Sequence, residues 1–121
     1  MEIIKSEIKE IGVDSHFEGE PIMILFNSTA PEGLRDVCVI HDFTDEPNKD
    51  MLKKGSKMIF GDQEYMVEDI GGVANETLFD LGHASLYFEL AEGEELMPGA
   101  IKLTPNKLPD VKVGDVIQFC K

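Results

Sequence analysis

Apolar positions in this chain come in short runs or strict alternations, broken by glycine, proline and acidic turns, and this pattern predicts many short strands. In the opening stretch Ile4, Ile8 and Ile11 recur at helical spacing, with Gly12 placed to cap a helix, while the isoleucine-rich composition equally suits an edge strand. "PIMILFN", Pro21 to Asn27, is too short for a stable helix and reads as a strand. "STAPEGLRD" follows, predicting a short helix with Ser28 or Thr29 as N-cap and Pro31 near its first turn. Next, the apolar run Val37, Cys38, Val39 and Ile40 reads as a buried strand and leads straight into His41, Asp42 and Phe43. Burying an imidazole costs free energy unless it finds partners, so His41 is either a satisfied core residue or a strand-end residue with chemistry to perform.

Further along, "KKGSKMIF" and "VKVGDVIQF" share one pattern, a glycine turn feeding a strand that ends in phenylalanine. This is read as a likeness between two hairpin entries and not as a duplicated domain, and the chain shows no repeat, linker or low-complexity tract. "MIFGDQEYMVEDIGG" predicts a hairpin with Gly61 and Asp62 at the bend. "SLYFEL" and "GAIKL" supply two more strands around the acidic turn "AEGEELMP". The one convincing interior helix is "ANETLFDLGH", with Asn75 as N-cap and Leu78 and Leu81 on one face. The predicted fold class is all-β: a small antiparallel β-barrel or sandwich with one or two short helices, forming a single domain over residues 1–121.

Composition narrows the partners. The 24 acidic and 11 basic residues leave a net charge of -13. Such a surface repels phosphate backbones and anionic headgroups, which argues against nucleic acid and membrane-surface binding; it either attracts a basic protein partner or simply keeps the protein in solution. The opening "MEIIKSEIKEIG" lacks the continuous apolar core of a signal peptide, and Cys38 and Cys120 do not make a disulfide framework. The reading is a cytoplasmic protein with reduced thiols.

Three histidines are the candidate chemistry: His16 in a polar loop, His41 after the apolar run, and His83 in the turn that ends the helix. A metal site built from Cys38, His41, His83 and Asp42 is disfavoured, because Cys38 and His41 point to opposite faces of an extended strand. There is no GxSxG elbow, P-loop or dinucleotide fingerprint. A nucleophilic histidine remains: neutral imidazole attacks phosphorus near pH 7, provided that apolar neighbours exclude water and donors meet the phosphoryl oxygens.

The combination of "VCVIH", "IGGVANETLFDLGHASLYF" and "MPGAIKL" resembles the glucitol/sorbitol-specific enzyme IIA component of the bacterial phosphotransferase system, over nearly the whole chain. The resemblance implies a cytoplasmic phosphoryl carrier that needs no cofactor, since both donor and acceptor are proteins. It would accept the group from the histidine phosphocarrier protein and pass it to a cysteine of the IIB component, for the IIB/IIC hexitol permease. It assigns His41 as the phosphorylated residue, on its pros nitrogen, with His83 approaching to hydrogen-bond the phosphoryl group. Asp42 and Phe43 follow where some relatives have a further histidine, and Thr77 stands where asparagine is expected. Cys38 becomes a core residue, and Val39, Ile40 and Phe43 become candidates for a docking rim, although core packing explains them equally well. Hairpin exchange between two copies would permit a homodimer. The alternative from another class is a non-catalytic regulatory or ligand-binding β-barrel module.

Overall fold

Strict alternation resolves the N-terminal segment: Ile4, Ser6 and Ile8 are buried while Ile3, Lys5 and Glu10 are exposed, so the first element is a strand. The structure, a computed structural model, describes residues 3–15, 21–90 and 93–121. Its strands are β1 (Ile3–Ile11), β2 (Ile22–Phe26), β3 (Val39–Phe43), β4 (Lys57–Phe60), β5 (Gln63–Ile70), β6 (Ala84–Tyr87), β7 (Ala100–Thr104) and β8 (Val116–Cys120). Two helices interrupt them, α1 (Glu32–Arg35) and α2 (Ala74–Leu81).

The strands close into a barrel in the order β1-β3-β2-β6-β7-β5-β4-β8. Closure leaves no unpaired sheet edge. Most pairs are antiparallel, as expected, but β2–β3 and β6–β7 run parallel. The β2–β3 crossover carries α1, since parallel neighbours cannot be joined by a tight turn. Inward residues fill the barrel with Ile8, Leu25, Met58, Phe60, Tyr65, Leu86, Leu103 and Phe119. A second, smaller cluster of Phe26, Ala30, Cys38 and Ile40 lies apart from it.

Three local expectations are corrected. The N-cap of α1 is Pro31 and not Ser28 or Thr29, because the short helix starts after the proline. The N-cap of α2 is Val73; Asn75 instead sits inside the helix, where its amide accepts from Leu52 N–H at 3.0 Å and donates to Leu52 C=O at 2.8 Å. The buried face of α2 is Ala74 and Leu78, while Leu81 is 41% exposed at the helix end.

The likeness of the two glycine turns extends to the strand order of the whole barrel. Adding four to every strand number reproduces the same cyclic strand order, so the barrel has an internal two-fold pattern. Gly55 and Gly114 both have positive φ and donate to the matched residues Val67 and Ile8. Lys53 N–H bonds the Ser56 hydroxyl at 2.9 Å, and Lys112 N–H bonds the Asp115 carboxylate at 3.0 Å. Both β1 and β5 carry a bulge, between Ile8 and Glu10 and between Val67 and Asp69. Gly12 and Gly71 follow them, each pressed against backbone carbonyls that leave no room for a Cβ. The reading of no repeat is therefore corrected at the level of strand arrangement: β1–β4 and β5–β8 follow one pattern and interleave in one barrel, whereas the helices do not repeat, α1 lying between β2 and β3 and α2 between β5 and β6.

Candidate functional site

His41 is the third residue of β3 and faces the barrel interior, fully buried. It is thus not at a strand end. Its ring is walled by Phe43, edge-on at 5.3 Å between centroids, and by Phe119 at 6.1 Å. Both ring nitrogens are satisfied. Nδ1 lies 2.9 Å from Ser6 Oγ on β1, and Nε2 lies 2.7 Å from the carbonyl oxygen of Gly82.

These partners determine the tautomer. A carbonyl oxygen can only accept, so Nε2 carries the ring hydrogen and donates it to Gly82. Nδ1 then holds a lone pair and accepts from the Ser6 hydroxyl. Burial pushes the imidazole below its ordinary value of 6.5, outweighing the upward pulls of the Gly82 hydrogen bond and the Asp42 charge. The ring is neutral at neutral pH, as a nucleophile requires.

Gly82 reaches this position because α2 ends there. Its φ is +59°, its N–H donates to Leu78 C=O at 2.9 Å, and the His83 N–H donates to Thr77 C=O at 3.1 Å. A Cβ on Gly82 would stand 2.9 Å from Asn27 Cβ and 3.3 Å from His41 Nε2. Both the left-handed turn and the close approach therefore demand glycine. Asn27, just after β2, fastens the same junction by donating its N–H to Leu81 C=O at 2.9 Å.

The ring of His83 points elsewhere. Its Nδ1 lies 3.0 Å from Leu25 C=O, and the ring packs on Phe26 with centroids 4.8 Å apart. Among the described residues no hydrogen bond joins it to His41; the link runs through the backbone of Gly82. Asp42 faces away from the site, as strand alternation requires, and its Oδ1 accepts from Ser28 N–H at 3.1 Å and Ser28 Oγ at 2.9 Å. Val39 and Ile40 are 2% and 1% exposed, which makes them core and removes them from any docking rim; Phe43 stays half-buried beside the site.

Cys38 is buried in the smaller cluster, where desolvation raises its thiol pKa. Cys120 is likewise a free, buried thiol. Among the described residues, no group of three or more His, Cys, Asp or Glu side chains could hold a metal ion. Also among them, no helix is long and apolar enough to cross a membrane. His16 lies outside the described residues. Sequence reasoning missed Ser6, although a hydroxyl at an inward position between Ile4 and Ile8 was the available signal.

Comparison with known proteins converges on one family. The model of the family described as the PTS system glucitol/sorbitol-specific IIA component matches residues 3–118. The glucitol/sorbitol-specific EIIA components of Escherichia coli (strain K12) and Shigella flexneri are each 32% identical over 101 residues, covering 83% of this chain and 79% of theirs. The crystal structure of a PTS system IIA component from Enterococcus faecalis V583 superposes with a TM-score of 0.88 at 28% identity, covering 97% of this chain and 99% of that one.

Proposed function

The chain belongs to the glucitol/sorbitol-specific IIA family of the phosphotransferase system, and on that premise we propose that it is a cytoplasmic phosphoryl carrier with His41 as its nucleophile. The donor is the phosphorylated histidine phosphocarrier protein, and the acceptor is a cysteine of the IIB component of a hexitol permease. The observation that carries this reading is the pair of hydrogen bonds on His41: Gly82 holds the Nε2 proton at 2.7 Å and leaves the lone pair on Nδ1, the pros nitrogen.

In the first transfer, the Nδ1 lone pair attacks the phosphorus of the donor's phosphohistidine. An N–P bond forms at His41 as the donor's N–P bond breaks, and its electron pair returns to the donor's imidazole. The ring of His41 keeps its Nε2 proton and becomes a phospho-imidazolium, whose positive charge the Gly82 carbonyl dipole stabilises. In the second transfer, a thiolate of IIB attacks the same phosphorus, and the neutral ring returns. Phe43 and Phe119 beside the ring limit hydrolysis by water between the two steps. His83 supports the site through Gly82, since its ring ties the α2–β6 junction to β2 at Leu25. For His83 to hydrogen-bond the phosphoryl group directly, its ring must leave Leu25. A surface of net charge -13 suits a basic donor.

One observation favours the alternative, a non-catalytic binding module: His41 is fully buried with both nitrogens satisfied. Carrier function therefore requires the side chains over Nδ1 to part when the donor docks. The experiment incubates wild type and His41→Ala with phosphoenolpyruvate, enzyme I and the histidine phosphocarrier protein, then reads intact mass under alkaline conditions. One added phosphoryl group on wild type and none on folded His41→Ala is the expected result. No gain on wild type, with an active cognate donor, would leave the binding module as the better reading.

A further inference from the structure

The internal two-fold of the barrel shows where its halves differ. In the β1–β3 ladder Ile8 faces His41 and Glu10 faces Ile40; in the β5–β7 ladder Val67 faces Leu103 and Asp69 faces Lys102. The counterpart of His41 is therefore Leu103. In the neighbouring ladders Ser6 pairs with Ile117 and Tyr65 with Met58, which makes Tyr65 the counterpart of Ser6. Leu103 and Tyr65 belong to the main core, and the Tyr65 hydroxyl reaches Lys107 C=O at 2.7 Å.

The same backbone thus accommodates a large, mainly apolar pair in one half and a wholly polar pair in the other. A buried Ser–His pair stabilises a core less than well-packed apolar side chains do, so it is not there for packing. Ser6 is fully buried, and its Oγ sits 2.9 Å from the nitrogen that bears the lone pair. Among the described residues no other side chain donates to Nδ1.

We propose that Ser6 is a catalytic residue: its hydroxyl guards Nδ1 of His41 in the resting protein and then turns its proton to an oxygen of the phosphoryl group bound there. This rests on the carrier reading above. Because Oγ stands where phosphorus must arrive, rotation about the Ser6 side chain uncovers the lone pair and keeps the hydroxyl beside the incoming oxygens. No bond to Ser6 forms or breaks, and the hydroxyl keeps its proton throughout. The hydrogen bond passes from a neutral nitrogen to an anionic oxygen and strengthens as charge arrives.

The test compares wild type with Ser6→Ala, Ser6→Cys and Ser6→Thr. Ser6→Cys nearly preserves the side-chain volume with a weak donor, and Ser6→Thr keeps the hydroxyl. Three quantities are read: the rate of phosphoryl gain from the phosphorylated donor, the lifetime of the phosphohistidine, and the ¹⁵N shifts of the His41 ring. Ser6→Ala and Ser6→Cys are expected to lose roughly ten- to a hundredfold in rate, the range for one hydrogen bond to a charged group. They should also shorten the phosphohistidine lifetime and move the Nδ1 resonance. Ser6→Thr should recover most of both kinetic losses. Wild-type kinetics in folded Ser6→Ala and Ser6→Cys would overturn the role of Ser6 while leaving the carrier reading intact. A wild type that never gains a phosphoryl group would overturn both.

Discussion

The carbonyl oxygen of Gly82 lies 2.7 Å from Nε2 of His41, so the end of a helix determines which nitrogen of a buried ring keeps its proton. That relationship depends on a residue without a side chain, held at positive φ against Asn27. Gly82→Ala should cost about 1–2 kcal/mol from the left-handed backbone alone. The new methyl also has to displace Asn27 or the His41 ring. Urea unfolding measures the first effect, and loss of the protected Nε2 proton resonance reports the second. A variant with unchanged stability and that resonance intact would show that the turn does not hold the ring.

The pH dependence follows from the direction of the His41 shift. Its folded pKa lies below the ordinary 6.5, because burial opposes the charged form. The unfolded chain therefore binds a proton more readily, and the His41 contribution to stability is fully present above about pH 6.5 and declines as pH falls toward the folded pKa. Within that window it changes by about 1.4 kcal/mol per pH unit. His41→Leu should remove this component, which appears as the difference between the pH–stability curves of the two proteins. Parallel curves between pH 5 and 7 would contradict the assignment.

His41 and Ser6 are coupled by their hydrogen bond, and the coupling is measurable. His41→Leu copies Leu103 but leaves the Ser6 hydroxyl and the Gly82 carbonyl without their partner, at a cost of roughly 1–3 kcal/mol per buried group. Adding Ser6→Ala removes one of those orphans. A double-mutant cycle by urea denaturation should give a coupling of about 1 kcal/mol. Simple additivity would mean that the hydrogen bond has no net effect on stability.

Asp42 adjoins His41 in sequence, yet its carboxylate accepts two hydrogen bonds from Ser28, away from the ring. Asp42→Ala should loosen the 27–30 turn and destabilise the fold by about 1–2 kcal/mol. The phosphoryl transfer rate should change by no more than a few-fold. A rate gain of tenfold or more would show that the negative charge does oppose the incoming phosphoryl group.

Asn75 ties α2 to the segment before β4 by hydrogen bonds to both the N–H and the C=O of Leu52. Asn75→Ala strands these backbone groups and should destabilise by about 2 kcal/mol, measured by chemical denaturation. Asn75→Asp keeps only the acceptor and should fall between the two.

Much of this protein was legible in its sequence because strands and turns are local events. Period-two alternation, the Gly61–Asp62 bend and the short apolar runs marked the strands, and the "LGH" turn marked the helix end. The N-terminal segment stayed ambiguous because Ile4 and Ile8 satisfy both a helical and an extended period. Pairing of β1 with β3 and β8 settles it, and pairing is not a local property. The repeat was half visible, since Gly55 and Gly114 keep the same positive φ and Phe60 and Phe119 the same inward position, while most other matched side chains have diverged.

By itself, the sequence determined the mainly β class, the acidic surface and His41 as the residue worth asking about, all consequences of residue type and short-range pattern. Tertiary structure alone decided the environment of that ring. Ser6 and Gly82 lie 35 and 41 residues from His41, and only closure of the barrel brings them to it. It also turned the His83 ring to Leu25 and the Asp42 carboxylate to Ser28. Hydrogen bonds select a tautomer by distance and angle in space, and those are fixed when β1, β3 and the end of α2 pack together, not by spacing along the chain.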